Sequence, residues 1–256
     1  MIVVFTGESI RMVEQHEHGK VSGEMAKYIH PDLFPESQLR SNVEFAITYH
    51  DYAWKEIDQH PRLNDETDAP YSFTDYPLTA KLASYEKGID FVQNHSAYAG
   101  LLCSLHYSSF FSSESTNPVI KSFISREMDR RQQMKSRNSA FQNEEILDCH
   151  FKWLQFCDDL SLYLCMNEPG AAKEEEVSWF QNGFRQTFPF APGGMQANWK
   201  DPYTIGVAPF PFKEAFQVRV PFKGFNTKDF QENGLADIYQ NTEFSMFTFT
   251  IESEGD

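Results

Sequence analysis

Apolar positions recur every three or four residues through most of the first two thirds of the chain, then alternate with polar ones over the last third. That change of period sets the expected architecture. Residues 1–6 read as a strand. A helical pattern runs from about Glu14 to Ile29 and is closed by His30-Pro31. Ser41 or Asn42 can cap a second helix, which reaches about Asp58 and stops before Pro61. The stretch PRLNDETDAPYSFTDYP that follows is a long loop, and loops of that length usually carry function or move. Further helices are expected near 78–94, 96–112 and 118–136. A long one runs from about Asn143 to Met166 and ends at Asn167-Glu168-Pro169.

Beyond Pro169 the stretches YTIGVAPFPF, AFQVRVPFKGF and EFSMFTFTIES alternate and are rich in Phe and Val, which predicts strands. Pro209, Pro211 and Pro221 should confine some of them to sheet edges. The expected fold class is mainly α, of the α+β type. It is a helical bundle with a small antiparallel sheet made from the N-terminal strand and the C-terminal strands. We read residues 1–256 as one domain, with a helical core over about 7–168 and a β-rich C-terminal extension over about 185–253.

Composition narrows the function classes. Apolar residues form 41% of the chain, enough for a sizeable core. No run of eighteen apolar residues occurs, so no membrane span is expected. The opening MIVVFTGESIR has no basic region and no small-residue cleavage site, and is expected to be a strand rather than a secretory signal. A formal charge of −15 argues against nucleic acid as a partner, because phosphate repulsion would dominate. Cys103, Cys149, Cys157 and Cys165 show no CxxC spacing and read as small buried apolar residues, a usage that fits a reducing cytoplasm.

The chemistry is concentrated where the apolar pattern is interrupted. In NVEFAITYHDYAWKEID, His50 and Asp51 stand where the apolar face should continue, and Trp54 and Asp58 share a broad helical face with them. Two adjacent titratable groups turned inward cost several kcal/mol, on the order of the penalty for unpaired buried polar groups, unless something neutralises them. A metal cation offsets both costs at once. Ligands from other helices are on offer. VEQHEHGKVSGEMA holds His16 and His18, YAGLLCSLHYSSFF ends an apolar run on His106, and HFKWLQFCDDLSLYLC carries Asp158 and Asp159 within an apolar helix.

An ordered His, His-Asp pair and distant Asp, each in an apolar helix, resembles the HD superfamily of metal-dependent phosphohydrolases. EFAITYHDYAW matches the run that ends in the His-Asp pair. FCDDLSLYL resembles the final helix, where an Asp precedes a large aliphatic by two, which selects Asp158 over Asp159. The resemblance implies His18 as the first ligand, followed by the small residues Gly19, Ser22, Gly23 and Ala26. More narrowly, QHEHGKVSGEMA, the HD-x-x-W segment, LLCSLH and QFCDDLSL together resemble an uncharacterised bacterial family, domain-of-unknown-function family 3891. The implied fold is an HD-like bundle. The implied ligands of a divalent cation (Mn, Mg, Ni, Zn or Fe) are His18, His50, Asp51 and Asp158.

The implied activity is hydrolysis of a small phosphorylated or otherwise anionic metabolite, with Asp58 or His106 assisting proton transfer. A two-iron oxygenase on the same scaffold, or a non-catalytic metal-stabilised binding module, are the alternatives, and a homo-oligomer is left open. His106 can be a second-metal ligand, a hydrogen-bonding partner of substrate, or a core histidine. Trp54 either walls the pocket or packs. In SREMDRRQQMKSR, Arg126, Arg130 and Arg137 share one helix face, which is either solvated or a clamp for a substrate anion (Arg126 and Arg130 above all). His16 and Asp159 are expected on the solvent side of true ligands. His30, His60 and His150 read as bland, and His95 as a loop or cap residue.

Overall fold

The computed structural model describes residues 1–255, and helices make up about half of it. Strands β1 (Ile2–Thr6) and β2 (Ser9–Val13) form a hairpin whose turn places Gly7 at φ +61°. Helix α1 (Gln15–Ala26) follows directly. The alternation rule missed β2, because Ile10, Arg11, Met12 and Val13 are all buried. A strand covered on both faces reads as a continuous run rather than an alternating one.

Helix α2 (Arg40–Tyr49) ends earlier than the pattern suggests. Its expected continuation to Asp58 is replaced by a 3-10 turn over Tyr52–Trp54 and the short α3 (Lys55–Asp58). The loop that follows contains only the two-residue strands β3 (Leu63–Asn64) and β4 (Ala69–Pro70), and the Phe73 N–H ties it back to the Met1 carbonyl at 2.9 Å. Helices α4 (Leu78–His95), α5 (Ala97–Ser108), α6 (Pro118–Arg137) and α7 (Glu144–Met166) lie close to their expected ranges. Asn117 and Asn143 cap the last two through side-chain oxygens that accept from backbone N–H groups.

Helix α7 is buried along most of its length and packs against α1, α2 and α5. Small residues set the closest of these approaches. A Cβ on Gly19 would stand 3.2 Å from the Thr48 carbonyl oxygen, and one on Gly23 would lie 2.9 Å from the Thr48 Cα. Glycine therefore brings α1 onto the end of α2.

The C-terminal strands are β5 (Gln196–Asp201), β6 (Thr204–Ala208), β7 (Phe216–Asn226) and β8 (Ser245–Ser253). They join the N-terminal hairpin in one six-stranded sheet of order β1-β2-β7-β8-β6-β5. The sheet is mixed rather than purely antiparallel, since β6 and β8 run parallel. Pro221 lies inside β7, not on an edge strand. It is opposite Met246 of β8, while β2 pairs only with 223–226, so its missing N–H falls where β7 has no neighbour on that side. Pro209 and Pro211 fall beyond the end of β6. Two helices absent from the expected pattern, α8 (Thr227–Asn233) and α9 (Leu235–Asn241), cover Met1, Ile10 and Met12 with Phe230, Leu235 and Tyr239. A single apolar cluster connects Ile2 and Val13 through the helices to Ile251.

Candidate metal centre and pocket

The break after α2 explains how neighbouring residues can both face inward. Within a continuous helix the side chains of His50 and Asp51 would diverge by about 100°. Here Asp51 leaves helical geometry, with φ −107° and ψ 23°, and the two side chains converge. His50 Nδ1 donates to the Ile47 carbonyl at 2.7 Å, which leaves Nε2 facing the centre of the bundle.

His18 is held the same way by a different partner. The Ser161 hydroxyl donates its one proton to the His18 carbonyl at 3.0 Å, so at its 2.8 Å contact with His18 Nδ1 the Ser161 Oγ must accept. Both imidazoles therefore carry a proton on Nδ1 and direct Nε2 at Asp51 and Asp158. His18 Nε2 is 3.1 Å from Asp158 Oδ1 and 3.6 Å from Asp51 Oδ2. His50 Nε2 is 3.3 Å and 3.8 Å from the same two atoms.

These contacts are close, yet neither Nε2 has a hydrogen-bond partner among the described residues. All four side chains are buried. Ligands held at about 2.1 Å from a common cation, at tetrahedral or right angles, stand about 3.0–3.4 Å from each other. The separations from Asp158 Oδ1, 3.1 and 3.3 Å, fall in that range, those from Asp51 Oδ2, 3.6 and 3.8 Å, lie a few tenths of an ångström beyond it, and both nitrogens are orphaned. The charges agree. Burial alone would lower the His50 pKa, but the Asp51 and Asp158 carboxylates overcome it and raise it to about 9. Burial also opposes ionisation of Asp158, but the facing His50 holds that carboxyl well below its usual range. The cluster calls for positive charge, and its buried His and Asp groups could hold a metal ion.

His106, on α5, is the fifth member of the cluster. Its Nε2 lies 3.9 Å from Asp158 Oδ2, its ring stands edge-on to His50 at 4.9 Å, and its Nδ1 has no partner among the described residues. Burial lowers its pKa to about 4, so the ring is neutral. His50, His106 and Asp158 form a second group of potential ligands that overlaps His18, His50 and Asp51.

A cavity of about 630 Å³ opens onto Asp51, Asp158 and His106. Trp54 both packs and lines it: the ring is buried edge-on to Tyr76 and Tyr85, and one side forms the wall. The irregular segment between α7 and β5 supplies the opposite wall, from Trp179 to Arg185.

Asp58, expected to assist proton transfer, does not line this cavity. Its Oδ1 is 2.6 Å from the Met1 ammonium, and its Oδ2 accepts from the Gln15 N–H at 2.7 Å, so both oxygens are engaged in tying β1 and α1 together. Arg126 and Arg130 are also elsewhere. They reach across from α6 to α4, where Arg126 pairs with Glu86, and Arg130 lies 2.6 Å from Asp90 and 2.7 Å from the Gln93 side-chain oxygen. Arg130 also lies 3.1 Å from the buried Glu127 on α6 itself, so both arginines are paired with acids away from the cavity, which corrects the clamp reading for them.

His16 is buried beside Tyr49 and Tyr52 rather than on the solvent side. His150 is a core histidine, accepting from the Tyr98 hydroxyl at 2.8 Å and donating to the Pro35 carbonyl at 2.9 Å. His95 is the last residue of α4 and stacks on Phe45.

Around the cavity stand Asp159, expected on the solvent side of its neighbour, and residues that sequence reasoning missed, Arg185 and Gln15. Asp159 lines it, and burial together with the neighbouring Asp158 raises its pKa to about 6. Arg185 lines it too, with Nε 3.2 Å from Asp159 Oδ2. Gln15 lies in the wall with a buried, unpartnered Oε1. Ser161 and Gln15 each stand three residues along a helix from a candidate ligand, a spacing that could have flagged them. Arg185 sits in an irregular stretch with no such signal.

Residues 1–226 match the model of a family described as "Protein of unknown function (DUF3891)". No curated protein and no solved structure matches the chain. With most of its length covered by that family model, from the β1–β2 hairpin through the helices to the end of β7, the chain belongs to the DUF3891 family.

Proposed function

We propose that this chain is a metal-dependent hydrolase of HD type, acting on a small phosphorylated or otherwise anionic metabolite. One observation carries the reading. His18 and His50 are fixed through Nδ1, so that two buried, unpartnered Nε2 atoms meet two carboxylates at ligand-to-ligand distances on the floor of an open cavity. The order of these residues along the chain resembles that of the HD superfamily, which supports the reading. A divalent cation, which His18, His50, Asp51 and Asp158 would hold, would supply Lewis acidity and make a neighbouring water more acidic.

The chain's own residues then have distinct tasks. Ser161 and the Ile47 carbonyl orient the two imidazoles. His106, neutral and with Nδ1 unengaged, can take or return a proton at the cavity floor. Arg185 presents a guanidinium to an anionic group, and Trp54 and its aromatic neighbours exclude water. Asp58 has no part in this scheme.

The second reading, an oxygen-activating two-iron centre on the same scaffold, draws on the overlap of two ligand groups that share His50. Metal counting separates the two. Protein purified without chelator should carry one cation per chain and hydrolyse phosphate esters, and His106→Ala should keep the cation while losing most of the turnover. Two irons per chain, halved by the same substitution, would favour the oxygenase. A chain that binds no metal under these conditions leaves neither reading standing.

A further inference from the structure

The cavity is larger and more aromatic than a compact phosphate ester requires. Around its charged floor stand Phe73, Tyr85, Phe110, Trp179, Phe180 and Phe184. Two of these remain open to water: Trp179 is 54% exposed and Phe110 46%. Both are braced by other rings, Trp179 edge-on to Phe73 at 6.2 Å and to Phe180 at 6.4 Å, and Phe110 edge-on to His106 at 4.7 Å and near Tyr85 and Tyr107 at 6.2 Å. Exposed aromatic rings on the wall of a pocket gain by desolvation against a ligand ring.

The charge on the same wall is also organised. The Arg185 side chain donates through Nε to Asp159 Oδ2, and among the described residues nothing accepts from its two terminal nitrogens. Asp159 is in turn held by the Gln186 amide at 2.7 Å. The guanidinium is thus steadied from behind, with the fork that binds carboxylate or phosphate left available. Arg185 and Asp159 line the same cavity as Asp51 and Asp158. One ligand in that cavity can therefore reach both the Arg185 guanidinium and the two carboxylates of the cluster.

We propose that the cavity selects ligands that join an aromatic ring to an anionic group, the anion taken by Arg185 and the ring by Trp179 and Phe110. This deepens the hydrolase reading and rests on it only for what happens to the ligand after binding. Binding to Arg185 and the rings stands by itself.

The probes are non-hydrolysable: 1-naphthylphosphonate and methylphosphonate, titrated calorimetrically into the metal-loaded protein. The naphthyl compound should bind at least about tenfold more tightly, the scale of one ring stacking on aromatic side chains. Trp179→Ala and Phe110→Ala should each shrink that ratio with little effect on methylphosphonate. Arg185→Gln should weaken both probes by a similar factor, about tenfold, and leave the ratio in place. All three side chains are substantially exposed, so folding should survive, and unchanged melting temperatures check this.

Equal affinity for the two probes, or a ratio unmoved in both aromatic variants, overturns the proposal. Unchanged affinity in Arg185→Gln overturns its anionic half. Hydrolysis is read separately on phosphate esters. Turnover without ring preference removes this inference alone, and ring preference without turnover removes the hydrolase reading alone.

Discussion

Ser161 decides which nitrogen of His18 faces the bundle centre. Its proton goes to the His18 carbonyl, so it can only accept from His18 Nδ1. Ser161→Ala removes that acceptor, while Ser22 still donates to the His18 carbonyl at 3.2 Å, so the helix pair should hold. Metal affinity should fall by about 10- to 100-fold, as when the partner of a ligating histidine is lost, with the fold unchanged by circular dichroism. Undiminished affinity would mean that His18 is not oriented for a ligand. His50 and Asp51 stand out in the sequence because they interrupt an apolar helical pattern, whereas the choice of His18, and of Asp158 over Asp159, comes from the resemblance to the HD superfamily. Arg126 and Arg130 form a visible stripe, and the i,i+3 spacing announces the Glu127–Arg130 pair, but Glu86 and Asp90 sit on another helix and no local spacing announces those contacts. Asp58 looked like part of the same face, and it was separated from the cavity by the break in the helix.

That break is the main lesson at the scale of elements. TYHDYAWKEID contains neither proline nor glycine, so a continuous helix was the reasonable expectation. What stops it is Asp51 leaving helical geometry beside a His50 side chain bonded to the Ile47 carbonyl. The close seating of α1 on that corner is testable through Gly23, where a Cβ would meet Thr48 Cα and Cβ at 2.9 and 2.8 Å. Gly23→Ala should destabilise the fold by about 1–3 kcal/mol through overpacking. It should also weaken metal binding by moving His18 away from His50. Gly193→Ala, where an added Cβ meets nothing within 4 Å, is the control and should change neither. Equal melting temperatures for the two variants would show that α1 does not depend on this contact.

Helix α7 is tied to the loop at Pro35 by His150, whose pKa burial lowers, against smaller opposing effects of the Pro35 carbonyl and Glu36. A histidine favoured neutral in the fold adds stability that is complete above its unfolded value, near 6.5, and is lost as pH falls below it. The wild type should therefore lose more stability between pH 7 and pH 5 than His150→Phe, measured by denaturant unfolding at both pH values. Identical slopes would contradict the assignment. The long helices were read from the sequence nearly as they stand, because each presents a regular apolar face. The wall from Trp179 to Arg185 was not, since irregular backbone leaves no period to read.

For the molecule as a whole, the architecture brings distant segments of the chain to one point. His18 follows the β1–β2 hairpin, Asp158 lies in the second half of α7, and the segment after α7 folds back to line the cavity beside them. The mixed six-stranded sheet supports this arrangement from outside, with α1 packed on β7. No helix among the described residues is long and apolar enough to cross a membrane. The cluster at the centre is the feature on which the whole account depends, and anomalous X-ray diffraction measures it most directly. Crystals of protein purified without chelator and supplied with zinc or manganese should show an anomalous peak within about 2.0–2.3 Å of His18 Nε2, His50 Nε2 and the carboxylates of Asp51 and Asp158. No peak at that point, with the four side chains arranged as they are here, would contradict the account.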